Sequence, residues 1–521
     1  MRSRLTRFLT AAGCLAAACG AFAAAPKVIF SNFHAPTSGV PGLAGAVFNP
    51  GTATQFDRPF VSPDGRMWIL GAVADQAGVD LDVIIQGSGD TGAGAVLIVK
   101  EGDQIPGDPT VTYVSIRTQM GINNGGRIAF NADTGAATTA DDIVVRADNV
   151  NPPSAFSIVA REGTGPVPGI AGQNYGSTNN ASHILENGDV RFRSVLTPTT
   201  TKQALFSNTD PLTGTAMAET DVTVPAGQLV APDQSLDNLT SDRFRSSGDG
   251  SHYIYHADLN GATTSDLVMV YDGRVVAQEG VVLPGSTFVS LVSAISGDAG
   301  SQQISPDGLC YSFRGSNADG IDWVRQVTSV IAATDQPITP GNTELYDDTP
   351  FSTTFFNNAV NDCCDVVIGG VTNNADLNAN GVLVLNGELV VAREGDGVDV
   401  DGNGLLDDDA FLSVFNNDDS FLTADRRYYF HCDLRNGAAV SLGQALLVMQ
   451  LPPRAATLIG DANCDGEVNI LDINPFILAI GDPAQYALDF PCCPLANSDV
   501  NGDGNVDILD INPFIALLAG P

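Results

Sequence analysis

The sequence predicts a mainly β protein, a seven-bladed β-propeller followed by a small α-helical calcium-binding module. Three observations carry that expectation. A turn-and-strand unit recurs seven times along the central body, two twelve-residue acidic loops with glycine at the sixth position stand near the end, and 44% of the 521 side chains are apolar, enough for more than one core.

In chain order, residues 1–23 come first. Arg2, Arg4 and Arg7 precede the apolar run Phe8–Ala18 and the small stretch Ala21–Ala24, the order of a secretory signal peptide cut after Ala23. The expectation is a protein secreted or held at the cell surface. It has no transmembrane segment, because no later run reaches the ~18 apolar residues that a spanning helix needs. Against 24 Lys and Arg stand 60 Asp and Glu, a net charge of −36. That balance excludes nucleic acid as a partner, disfavours anionic lipid and favours divalent cations.

The repeat domain spans residues 27–453. Its unit is a turn followed by a short alternating strand: Ser62-Pro63-Asp64-Gly65 before Met67-Trp68-Ile69, and Asn123-Asn124-Gly125-Gly126 before Ile128-Ala129-Phe130. Equivalent turns precede Val190, Tyr253 and Cys310, and two degenerate copies lie at Asn361–Ile368 and Thr423–Phe430. The fourth turn position falls at 65, 126, 188, 250, 308, 364 and 426, in steps of 61, 62, 62, 58, 56 and 62. Asp or Asn supports the bend and Gly completes it.

A second element is phased with the first, an apolar strand running into Glu-Gly. It reads Val96–Gly102, Ile158–Gly163, Val275–Gly280 and Val390–Gly395, with weaker copies at Ala218-Glu219-Thr220 and Ala333-Thr334-Asp335. Each unit thus has room for about four strands, too few to bury both sheet faces alone, so units must pack on neighbours, and radial packing is the usual solution. An open solenoid is the alternative. Ala445–Met449 reads as the Glu-Gly strand of a closing blade whose Pro41-Gly42 turn lies at the N-terminus. The turn-strand unit resembles bacterial tandem-repeat families written Asn-x-x-Gly-x-x-Ala-Phe, which Asn123–Phe130 matches, and the resemblance implies an exported surface protein.

A linker, residues 454–459, leads to a module at 460–521. Asp461, Asn463, Asp465, Asn469 and Asp472, and again Asp499, Asn501, Asp503, Asp507 and Asp510, place oxygen side chains at positions 1, 3, 5, 9 and 12 of two loops. Gly466 and Gly504 supply the sharp turn at position 6, and Glu467 and Asn505 offer backbone carbonyls at position 7. Each loop runs into a helix whose Ile473, Phe476, Ile477 and Ile480, or Ile511, Phe514, Ile515 and Leu518, share one face, so the two faces are expected to pack together.

This duplicated loop-and-helix pattern resembles a type I dockerin. The resemblance implies two Ca²⁺ ions and docking onto a cohesin-like or other envelope protein, usually in polysaccharide-degrading assemblies. At positions 10 and 11, where that family carries small hydroxylated residues, this chain has Ile470-Leu471 and Ile508-Leu509.

A third acidic stretch, Asp399, Asp401, Asn403 and Asp407 with Gly404 at position 6, is read either as a third Ca²⁺ loop or as a solvated acidic loop. Loss of the leader removes Cys14 and Cys19 and leaves seven cysteines, an odd number, with the adjacent pairs Cys363-Cys364 and Cys492-Cys493 unassigned. His252 and His256 stand about 13 Å apart on one strand, too far to share an ion. The repeated Glu101, Glu162, Glu219, Glu279 and Glu394 would form a ring around a propeller axis, and their presence in successive units favours a structural role in the turns. No HExxH, GxSxG or phosphate-loop pattern occurs.

Two functions follow. The first is an exported, non-catalytic repeat protein docked by its calcium-loaded tail. The alternative is a secreted glycoside hydrolase on a propeller, with a polysaccharide as its ligand.

Overall fold

The computed structural model describes residues 23–51, 56–150, 153–231, 233–295, 301–347, 349 and 353–519. Residues 1–22 of the expected signal peptide lie outside them. Among the described residues, seven antiparallel sheets follow one another along the chain, blades 1 to 7, at 47–100, 104–161, 174–219, 236–278, 292–333, 355–393 and 411–450. Blade 2 is representative: Asp108–Ile122, Ile128–Thr134, Asp142–Val150 and Pro153–Arg161 run from the innermost strand outward. The innermost strands of separate blades meet in the middle. Arg58 of blade 1 donates to Gln303 of blade 5 at 2.5 Å, and Arg245 of blade 4 to Gln119 of blade 2 at 3.4 Å.

The ring closes. Phe411–Leu422, Arg427–Arg435 and Ser441–Gln450 form three strands of blade 7, and Lys27–Ser31 adds the fourth against Ser441–Gln450. The expected role of Ala445–Met449 is therefore corrected: it is the third strand, and the N-terminus supplies the outermost one. Its unbroken apolar run has a plain cause. Ala445, Leu447 and Met449 enter the core shared with blade 6, while Leu446 and Val448 enter the core shared with blade 1. A strand buried on both faces cannot alternate polar and apolar residues. The cluster joining blade 7 to blade 1 also excludes an open solenoid.

The repeated turns make the seam between blades. In each, the fourth residue donates its N–H to the first residue's carbonyl, as from Gly65 to Ser62 at 2.8 Å and from Gly126 to Asn123 at 2.9 Å. The turns then bond to one another around the ring. Asp64 N–H donates to Asn124, Asn124 to Glu186, Glu186 to Gly248 and Gly248 to Pro306. Asp307 continues to Asp362, Asn361 to Thr423, and Arg427 returns to the Gly65 carbonyl at 2.8 Å. These turns lie together on one face of the propeller.

The two degenerate turns are different. Cys364 (φ 55°) and Arg426 (φ 65°) occupy the left-handed position that glycine takes in the other five, a conformation costing roughly 1–2 kcal/mol for a residue with a side chain. Both are held by cross-links. Cys364 is bonded to Cys310 of blade 5, and Arg426 donates to Asp365 at 2.6 and 2.9 Å.

Beyond Gln450 the chain enters the C-terminal module, with helices Ile473–Gly481, Pro483–Asp489 and Ile511–Ala519. Phe476 stacks on Phe514 with ring centroids 4.0 Å apart, and Ala462, Ile480, Val500 and Leu518 surround them. The expected apolar helix faces are only half used, for Ile473, Ile477, Ile511 and Ile515 stay exposed. A core of two rings is too narrow to cover four residues on each helix.

The module is stapled to blades 6 and 7. Cys363 is bonded to Cys492, Cys464 to Cys493, and Cys432 remains a buried free thiol. Arg454 reaches from the segment after the last strand to Asp365, which Arg426 also holds, and to the carbonyls of Ala424 and Pro491. Burial pushes the Asp365 carboxyl up, but hydrogen bonds from Arg426 and the charge of Arg454 outweigh it and hold the group down at about 2.

Candidate metal centre

The two C-terminal loops fold alike because their side-chain oxygens take over backbone N–H groups that the tight bend leaves without partners. Asp461, at position 1, accepts from Asp465 at 3.2 Å and Gly466 at 3.0 Å, and Asp499 accepts from Gly502, Asp503 and Gly504 at 2.9–3.1 Å. At position 12, Asp472 accepts from Asn463 and Asn469, and Asp510 from Asn501 and Asp507, each across the loop. Asn463 and Asp465, and Asn501 and Asp503, cap the N–H two residues on, and Asn469 and Asp507 cap Leu471 and Leu509. Glu467 and Asn505 are exposed at position 7. The backbone N–H of Asn505 pulls the Asp503 carboxyl below its ordinary range.

Asp461, Asp472 and Asp510 are buried, at 3%, 0% and 0% exposure. No Lys or Arg occurs after Arg454 to balance them. Buried carboxylates with no cation are costly, and a hard divalent ion with oxygen ligands is the partner such a loop suits.

The third stretch folds on the same plan. Asp399 accepts from Gly402, Asn403 and Gly404 at 2.8–3.1 Å, Asp401 caps Asn403, and Asn403 caps Leu405. The fourth acidic residue is Asp408, whose carboxylate accepts from Val400 at 2.7 Å and Asp401 at 3.3 Å, the part Asp472 and Asp510 play in the other loops. Asp399, Asp401 and Asp408 offer oxygens within 4.8 Å of one another. Asp407 is outside that group, which corrects the expectation. In the run Asp407-Asp408-Asp409 only the path of the loop decides which carboxylate turns inward. Among the described residues, no three acidic side chains of the C-terminal loops come as close. The loop also grips the ring closure, since Val28 donates to the Asp399 carbonyl at 3.0 Å and Asp399 to that of Pro26 at 2.9 Å.

The remaining sequence candidates are scattered. The repeated glutamates sit at the ends of outermost strands, at the rim and not around the axis. Glu394 accepts the Gly381 N–H at 2.9 Å, and Lys202 pairs with Glu219 at 3.2 Å. Burial, then the hydrogen-bonded Asp141 carboxyl, pushes Glu162 up to about 7. His252 bonds Asp272 at 2.6 Å near the surface while His256 is buried in its strand, so the two do not form a site. A pocket on the turn face, where blades 1 to 5 and 7 meet, is lined by Phe60, Ile122, His183, Arg245, Gln303 and Phe421. Burial, then Arg245, pushes His183 down to about 3.

No family model matches the chain, and no curated protein matches it. Solved structures do. Prolyl oligopeptidase B from Galerina marginata is 10% identical over 75% of this chain, with a TM-score of 0.33, and this chain spans 47% of that one. The β-propeller domain of the Trilobed protease from Pyrococcus furiosus is 8% identical, covering 75% of this chain and 93% of that one, with a TM-score of 0.34. A protein of unknown function from Dyadobacter fermentans is 9% identical, covering 83% and 100%, with a TM-score of 0.31.

Proposed function

We propose that this chain is an exported, non-catalytic binding protein whose propeller displays a surface and whose calcium-loaded C-terminal module docks it to an extracellular complex or cell surface. The observation that carries the reading is the duplicated loop. Twice, a carboxylate buried at the last loop position, Asp472 or Asp510, stands beside the same exposed apolar set, Ile470-Leu471 with Ile477 and Ile508-Leu509 with Ile515. Ca²⁺ would be held by Asp461, Asn463, Asp465, Asn469 and Asp472, and by Asp499, Asn501, Asp503, Asp507 and Asp510, with the Glu467 and Asn505 carbonyls. A third ion would sit on Asp399, Asp401, Asn403 and Asp408, where it would stiffen the ring closure. Exposed Ile-Leu pairs suit an apolar receiving surface on the partner.

The glutamates' places in rim turns weigh against the glycoside hydrolase reading. The test uses the intact chain, because Cys492 ties the module to the propeller. Immobilised protein is exposed to envelope and secreted fractions of the source organism in Ca²⁺ and in chelator. A partner retained only in Ca²⁺, and lost when Ile470, Leu471, Ile508 and Leu509 are changed to Lys, supports docking. Retention that ignores calcium and those four residues, or no retention at all, rejects it.

A further inference from the structure

The two C-terminal loops are identical at eight of twelve positions, yet their surroundings differ. In the first, the Asn497 amide donates to the Asp461 carbonyl at 2.8 Å and the Tyr486 hydroxyl to that of Ala462 at 2.9 Å. Position 4 is Cys464, bonded to Cys493. The preceding residue, Cys492, is bonded to Cys363 in the blade 6 turn, whose neighbour Cys364 is bonded to Cys310 beside the blade 5 turn. A covalent path thus runs from the first loop into the propeller. In the second loop position 4 is Gly502, and among the described residues every side-chain hydrogen bond of 499–510 stays inside the loop.

We infer that the loops are unequal calcium sites: the first, framed by Tyr486, Asn497 and the Cys464–Cys493 bridge, binds Ca²⁺ more tightly and passes its stabilisation to the propeller, whereas the second orders only its own half of the module. This rests on the calcium reading above. The physical reason is pre-organisation. A loop whose backbone is already fixed loses less conformational freedom on taking up an ion, and rigidity is one of the levers that tunes Ca²⁺ affinity. Cys464, at φ 58°, holds the left-handed turn that Gly502 adopts at 75°, and its bridge locks that turn in place.

The test is a Ca²⁺ titration of the oxidised full-length chain by calorimetry, with a parallel thermal melt of the propeller's tryptophan signal. Asp465→Ala and Asp503→Ala each disable one loop at an exposed position, and the double variant supplies the baseline, including any uptake by residues 399–408. Asp465→Ala is expected to remove the tighter site, at least tenfold tighter than the other, and the calcium-induced rise in melting temperature attributable to the module. Asp503→Ala should remove the weaker site and keep that rise. Cys464→Gly with Cys493→Ala gives the first loop the second loop's residue and should bring the two affinities within threefold. Equal affinities in the two single variants, or loss of the rise in Asp503→Ala, overturns the inequality while leaving calcium binding intact. No uptake above the double-variant baseline overturns the calcium reading itself, and the inequality with it.

Discussion

The propeller and the C-terminal module are held together by different physics. Between each adjacent pair of blades lies an apolar cluster, with Trp68, Phe130, Phe192, Tyr255, Phe313, Val384 and Phe430 among the buried members. The module's two small clusters share one stacked phenylalanine pair, a Tyr and a few aliphatics. Below about 70–80 residues an apolar core alone supplies only a few kcal/mol, so covalent or metal staples are needed. The difference teaches where to look for each region's weakness: the propeller fails by losing volume, the module by losing a cross-link or an ion.

The comparison can be broken from either side. The largest effect is expected from Trp68→Ala, which empties a buried site between blades 7 and 1 and should cost about 3–5 kcal/mol in denaturant unfolding. If the propeller loses less than about 1 kcal/mol, burial is not what holds its seam. Next comes Cys363→Ser with Cys492→Ser, expected, in chelator where no calcium-derived stabilisation passes along the bridge, to cost the module about 2–4 kcal/mol while the propeller transition stays within error. Proteolysis should then release a fragment beginning near residue 454, and resistance equal to the native chain would show that the ion pairs suffice without the bridge.

Acid should act on the same joint. Asp365 is held at about 2 against an ordinary 3.8, so its pairing contributes stability that is full above pH 4 and is lost as pH falls toward 2, about 2 kcal/mol in total. Asp365→Asn should flatten the module's stability between pH 4 and 2, and an unchanged slope would assign the acid sensitivity elsewhere. The last effect has the opposite sign. Burial, together with the facing Asp307 carboxylate, pushes Asp362 up to about 7. A carboxyl raised in the folded state costs stability progressively as pH climbs from its unfolded value toward 7. Asp362→Asn should raise the propeller's melting temperature at pH 7.5 by a few degrees and leave it unchanged at pH 4. A uniform shift at both values would mean that the Asp362 carboxyl is not raised in the folded chain.

One feature links the two regions. Among the described residues, the five turns with glycine at the fourth position make no bond to the module, whereas the two that lost it, with Cys364 and Arg426, are those that hold the module through Cys363, Asp365 and Ala424. Degeneracy in the repeat therefore marks the docking place of the next domain. That correlation is visible in the sequence as two poor copies, but their meaning is not, since the partner Cys492 lies 129 residues from Cys363.

The repeat spacing, the turn chemistry and the loop pattern were legible along the chain because each depends on residues within a few positions of one another. An i to i+3 turn, an Asx cap and an alternating strand are local, and their sequence marks survive in Ser62–Gly65 and Asp461–Asp472 alike. Closure was legible as an apolar run at Ala445–Met449, but not the strand's rank in its blade, which depends on pairing with Lys27–Ser31 from the other end of the chain. Tertiary structure alone decided the pairing of six cysteines, the placing of the repeated glutamates at the rim, the turning-in of Asp408 in place of Asp407 and the exposure of Ile473 and Ile477. Each is a question of which surface a residue meets across space. Local pattern determines what a segment can form, and only the packed chain determines what it faces.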